Sequence, residues 1–167
     1  TRPVAAPVAQ VVVPDVLAAL GRFANAWRHD FAGTVVGITG SNGKTTVKEM
    51  IASVLGQRKK VLATQGNLNN DIGLPLTLFK LSTDHQVAVV EMGANHPGEI
   101  DYLASIAKPD VAVLTNAGPA HLEGFGSLEG VARAKGEMFT RLSSSGTAII
   151  NRDDDFFGLW KELARGK

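Results

Sequence analysis

Hydrophobic positions along the chain follow two rhythms. After Pro14 and Asp15, apolar residues recur as Leu17, Leu20, Phe23, Ala24 and Trp27, steps of three and four that lie on one stripe of a helix. Beyond that helix, short β-branched runs alternate with segments of helical spacing. The runs predict strands at 34–39, 60–64, 86–91, 110–115 and 147–150. The segments between them predict helices at 45–55, 74–81, 97–107 and 127–142, with a last helix opening near Asp155. Most of the runs are continuously apolar rather than alternating, the pattern of strands buried on both faces. Strands of that kind, separated by helices, predict an α/β fold with a mainly parallel sheet and helices on both faces.

In an open parallel sheet, ligands gather outside the carboxyl ends of the strands, so the residues after each strand matter most. A Gly-rich loop follows the first strand and Glu91 closes the third. Asn116 and His121 follow the fourth, and Asn151 follows the fifth. These residues are expected to converge on one rim.

Composition narrows the picture. With 167 residues and 44% hydrophobic content, the chain holds enough apolar surface for one substantial core. Residues 1–13, broken by Pro3 and Pro7, read as a linker entering a single domain over 14–167. A formal net charge of +1 gives no general field that would gather nucleic acid or an acidic membrane. No apolar run approaches the roughly 20 residues that span a bilayer. The absence of cysteine fits a reducing compartment, and the expected setting is the cytoplasm, without nucleic-acid partners or membrane insertion.

The segment from Gly37 to Thr46, G-I-T-G-S-N-G-K-T-T, lies between an apolar strand and a helix, the context of a P-loop. Glycines allow the backbone to wrap a phosphate with N–H groups pointing inward, and the helix N-terminus adds partial positive charge. Lys44 would reach the β- and γ-phosphates, and the Thr45 hydroxyl would ligate Mg²⁺. Ile38 stands where the strict pattern has its first glycine, so the spacing is a variant. The bland alternative is a Gly-rich turn that only caps a helix.

Glu91 ends an apolar strand where a carboxylate can reach Mg²⁺ beside such a loop, or simply face water. His121 sits in a loop where an imidazole either ligates metal or bonds phosphate, or is merely exposed. His29, His85 and His96 have no comparable setting. Lys135 shares a helical face with Val131, Met138 and Phe139. Either its stem packs there while the ammonium snorkels to water, or the amine is drawn into the site, where burial would lower its pKa. The loop 64–75 concentrates amides at Asn67, Asn69 and Asn70, suited to a polar substrate or to turn formation. Asn151, near Asp153 and Asp155, reads as a helix cap or as a contact to a nucleotide base.

Four segments together resemble the Mur ligase family: the loop at 37–46, T-Q-G-N-L-N-N-D-I-G-L-P at 64–75, V-V-E-M-G-A-N-H-P-G-E-I at 89–100, and N-A-G-P-A-H-L-E-G-F-G-S-L-E-G-V-A-R-A-K-G-E at 116–137. The variant glycine spacing is the family's own. The resemblance implies that Gly40, Ser41, Asn42, Gly43, Lys44, Thr45 and Thr46 hold ATP, with Asn151 near the adenine. It implies metal ligation by Thr45, Glu91, His121 and Lys135, catalytic roles for Lys44, His121 and Lys135, and substrate contacts from Asn67, Asn69 and Asn70. Lys135 falls at a position that is carbamylated in several relatives. The implied reaction uses ATP and Mg²⁺ to form an acyl phosphate, and the segments N-x-N-N-x-x-G-x-P at 67–75 and A-H-L-E-x-F-G-S at 120–127 favour the branch that joins D-alanyl-D-alanine to UDP-N-acetylmuramoyl-tripeptide. Family enzymes carry a UDP-sugar domain before this region and another domain after it, so a partial central domain, inactive in ligation alone, is expected. Other readings are a different Mur ligase, a folylpolyglutamate synthase-like ligase, a P-loop phosphotransferase, or a nucleotide-binding module without chemistry.

Overall fold

The structure is a computed structural model and describes residues 2, 4, 5, 7–120 and 122–167. Residues Thr1, Pro3 and Ala6 of the expected linker, and His121, lie outside the described residues. Helix α1 spans Val16–His29, and the Asp15 carboxylate accepts from Ala18 N at 3.0 Å, the side-chain cap its position before the apolar stripe implied. Then come β1 (Thr34–Thr39), α2 (Lys44–Gly56), β2 (Val61–Ala63), α3 (Gly73–Leu78) and β3 (Val87–Glu91). The chain continues through α4 (Glu99–Ala107), β4 (Val111–Leu114), α5 (Leu122–Phe125), α6 (Leu128–Thr140), β5 (Thr147–Ile150) and α7 (Phe157–Leu163). Only α5 was absent from the sequence reading. Four residues containing Gly124 are too few to show a period.

All five strands are parallel, in the order β2-β3-β1-β4-β5, with β1 at the centre. The path from β1 to β2 moves one way across the sheet, whereas β2 to β3, β3 to β4 and β4 to β5 all move the other way. Right-handed crossovers therefore put α2 alone on one face and the later helices on the opposite one. The core divides accordingly. One face joins Val35, Ala88, Val90 and Leu114 to residues of α1, α3, α4, α6 and α7. The other joins Val36, Ile38, Val87, Val89 and Val113 to Val47, Ile51 and Leu55 of α2. Helices do lie on both faces, but unequally.

Arg28 ties α1 to this frame by donating to Ala107 O at 2.9 Å and to Lys108 O at 3.2 Å, carbonyls at the end of α4. Asp110 accepts from the same guanidinium at 3.3 Å and from Val35 N at 2.7 Å. Among the described residues no helix is long and apolar enough to cross a membrane.

Candidate functional site

The central strand β1 delivers its C-terminal loop between the ends of β3 and β4. Gly40 takes φ +145°, and a Cβ there would lie 2.0 Å from Thr115 Oγ1, so a side chain is excluded on two counts. Gly43 takes φ +77° as the N-cap of α2. Lys44 turns back over the loop, its Nζ donating to Gly40 O at 2.8 Å and Ser41 O at 3.2 Å. The end of β4 clamps the other side. Asn116 O accepts from Ser41 N at 3.0 Å, and the Asn116 side chain accepts from Asn42 N at 3.0 Å while donating to Asn42 O at 3.2 Å. Thr115 Oγ1 donates to Asn42 O at 2.7 Å, and Gly118 N donates to Ser41 Oγ at 2.9 Å. Sequence reasoning put Asn116 on the rim but missed this clamp. The only signal was a run of polar and small residues directly after a buried strand.

Strand alternation decides where Glu91 points. It follows Val87 and Val89 at steps of two, so it lies on the α2 side of the sheet, toward the start of the helix that carries Thr45. Thr45 Oγ1 donates to Glu91 Oε2 at 2.9 Å, and Asn69 Nδ2 donates to Glu91 Oε1 at 2.9 Å. The carboxylate is only 2% exposed, with both oxygens engaged. A hydroxyl and a carboxylate this close suit a hard cation. Among the described residues no three His, Cys, Asp or Glu side chains gather into a metal-binding group. Few protein ligands, completed by phosphate and water, is the pattern of Mg²⁺ rather than of an all-protein cage. His121, the other expected imidazole ligand, lies outside the described residues.

Two cavities meet at Lys44. One, of about 350 Å³, is lined by the loop together with Asn67, Asn69 and Glu91. The other, of about 570 Å³, extends from Ser41 and Lys44 past Asn70 and Asn95 to Tyr102 and Lys135. Asn67 and Asn69 border both. Asn70 also closes a turn, its Oδ1 accepting from Gly73 N at 2.8 Å. Asn151 lines neither cavity and accepts from Asp153 N at 3.1 Å, closing a local turn rather than capping α7, whose N-cap is Phe156. Asp154 is the nearby acid that reaches the clamp, accepting from Ala117 N at 2.9 Å.

Lys135 does not snorkel. It is 3% exposed, lines the larger cavity, and holds Nζ 5.6 Å from the centre of the Phe125 ring. Burial, then the charge of Lys44, pushes its pKa down to about 8, with Glu99 and Glu137 opposing. Because the unfolded lysine titrates near its ordinary value of 10.5, the folded state is penalised fully below pH 8. That penalty fades as pH rises from about 8 to 10.5. Lys135→Met is therefore expected to raise unfolding stability at pH 7 by on the order of 2–3 kcal/mol, and to lose most of that advantage by pH 10.5. Urea denaturation at the two pH values checks it; an advantage that does not change with pH would contradict it.

With this geometry in place, the match of residues 38–167 to the Mur ligase middle domain decides the family. The chain belongs to the Mur ligase family. It is 47% identical to the UDP-N-acetylmuramoyl-tripeptide--D-alanyl-D-alanine ligase of Escherichia coli K12, over 98% of this chain and 36% of that enzyme. Its fold superposes on a crystal structure of MurF from Acinetobacter baumannii with a TM-score of 0.94 and 46% identity, over 98% of this chain and 36% of that one. A MurF ligase from Thermotoga maritima solved in complex with ADP gives a TM-score of 0.88 and 38% identity, over 99% and 38%. This Mur ligase chain thus spans about a third of the length of the relatives it matches, 36% in the first case.

Proposed function

We propose that this Mur ligase chain supplies the ATP-binding middle portion of an enzyme that joins D-alanyl-D-alanine to UDP-N-acetylmuramoyl-tripeptide in peptidoglycan precursor synthesis. Residues 14–167 form the nucleotide domain and residues 1–13 the linker into it. The observation that carries the reading is the Thr45–Glu91–Asn69 cluster set against a loop whose lysine is already aimed into its mouth. Relatives that carry this activity by name, and one held with ADP, support it.

The backbone from Gly40 to Thr46 wraps the phosphates of ATP, and Lys44 exchanges its loop carbonyls for phosphate oxygens. Thr45 and Glu91 hold Mg²⁺, which when bound offsets phosphate charge and fixes the line of transfer. Lys135 lines the larger cavity together with Asn67, Asn69 and Asn70, which hold the acceptor in place. Following the resemblance, His121 and a carbamylated Lys135 serve a second Mg²⁺. The tripeptide carboxylate takes the γ-phosphoryl group to become an acyl phosphate. The amine of D-alanyl-D-alanine then displaces phosphate, leaving the amide and ADP. Asn151 approaches the adenine, and the enzyme works in the cytoplasm. Bound to ATP and Mg²⁺, an unbranched Lys135 would argue against carbamylation.

The test is calorimetric titration of the chain with a non-hydrolysable ATP analogue, in Mg²⁺ and in EDTA. Mg²⁺ is expected to tighten binding, and Glu91→Gln to reduce that gain by at least about tenfold, the scale of losses even around a metal site's supporting residues. Retention of the full gain by Glu91→Gln would remove Glu91 from the site.

A further inference from the structure

Lys48 is a buried cation with no part in the chemistry above. It lies one helical turn after Lys44, is 1% exposed, and is the one fully buried residue of α2. Taking an ammonium out of water is costly unless it finds charge and hydrogen-bond partners. Its Nζ donates to Thr64 O at 2.6 Å and pairs with Glu49 Oε1 at 2.9 Å.

Thr64 is the first residue past β2, where the ladder with β3 ends at Ala63 and Val89 and the amide loop begins. Its N–H still donates to Val89 O at 3.0 Å, and its hydroxyl accepts from Glu91 N at 3.0 Å. The loop it opens returns to the Glu91 carboxylate through Asn69 Nδ2, which donates to Oε1, and to the chain just past β3 through Gly93 N, which donates to Asn69 O at 2.8 Å. Buried Thr64 O has run out of strand partners, and a buried carbonyl needs a donor. The N–H groups in the interior of α2 are already used within the helix. A long side chain from α2 supplies what the ladder cannot.

We infer that Lys48 is a positioning residue for the cation site. By tying Thr64 to α2, it fixes the end of β3 and the amide loop against the helix that carries Thr45, and so sets Glu91 at the spacing its ligand role requires. Lys48 touches neither nucleotide nor cation. The inference rests on the reading of Thr45 and Glu91 as the Mg²⁺ site.

The experiment measures affinity of the chain for the same ATP analogue, in EDTA and across a Mg²⁺ series, for the parent, Lys48→Met and Glu91→Gln. Circular dichroism and urea denaturation establish that each is folded at the assay temperature. Lys48→Met is expected to bind in EDTA nearly as the parent does, while its Mg²⁺-dependent gain falls about tenfold, as for groups that orient metal ligands. A merely structural lysine would lower the urea midpoint and leave the Mg²⁺ gain intact, and that result overturns the inference. Should Lys48→Met not fold, Lys48→Gln, shorter than the reach to Thr64 O but still polar, carries the same expectation. A gain lost in Glu91→Gln but kept in the Lys48 variant sinks the positioning role alone. A parent with no Mg²⁺ gain sinks the site reading and this inference with it.

Discussion

Lys44→Ala is expected to weaken ATP-analogue binding by on the order of 100-fold or more, with the chain still folded. Two charge-assisted hydrogen bonds to phosphate, at about 1.5–3 kcal/mol each, set that scale. The geometry supports a full loss because the ammonium already occupies the loop mouth, held by Gly40 O and Ser41 O, both on the loop that would wrap the phosphates. Burial pushes the Lys44 pKa below its ordinary value, and Glu91 pulls it back up. A lysine partly stripped of water has less hydration to lose when phosphate arrives. Folding has little stake in it, since Ser41 and Lys44 are only half-buried beside the exposed Asn42 and Gly43, where water can replace the ammonium. Calorimetric titration of parent and variant in Mg²⁺ checks the outcome. Equal affinity in both would mean that the loop is a helix-capping turn and that Lys44 merely closes it.

What could be read in the sequence follows from what periodicity can encode. The apolar runs at Val35, Val89 and Val113 marked strands, and Pro14 with Asp15 marked the start of α1, because those signals are local. Glu91 could be anticipated for the same reason: a strand's last residue has a known place in a parallel sheet. Lys135 resisted. Helical spacing shows which face a side chain shares but not whether that face ends at solvent or at a cavity, and here it ends at a cavity that Lys44 also lines. Lys48 was passed over because a charge beside Val47 and Ile51 reads as a solvated position, and its partner Thr64 is known only once β2 lies next to β3. The unequal sheet faces needed the strand order, which no local pattern carries. Asn116 shows the same limit, since its clamp on Asn42 joins residues 74 positions apart.

Trp160→Ala is expected to cost about 3–5 kcal/mol of unfolding stability, the range for truncating a large buried aromatic. The indole is fully buried, donates from Nε1 to Ala132 O at 2.8 Å, and stands 6.4 Å from the Phe156 ring. Its seat is prepared by Gly136 on α6, where a Cβ would come within 3.1 Å of Trp160 Cδ1 and 2.5 Å of Leu163 Cδ1. The glycine lets α7 settle against α6, and the indole fills the contact. Alanine would leave a void walled by two helices that cannot both close on it. Trp160 belongs to the same apolar cluster as Ala24, Leu78 and Leu103, so the loss is felt by the whole domain rather than by α7 alone. With a urea slope of about 2 kcal/mol per molar, the midpoint should fall by about 2 M at constant slope. A fall corresponding to less than about 1 kcal/mol would show that α7 opens independently of the rest, as a separate unit of local unfolding. The seal it makes over α6, on which Lys135 rides, would then contribute little to holding that amine in its cavity.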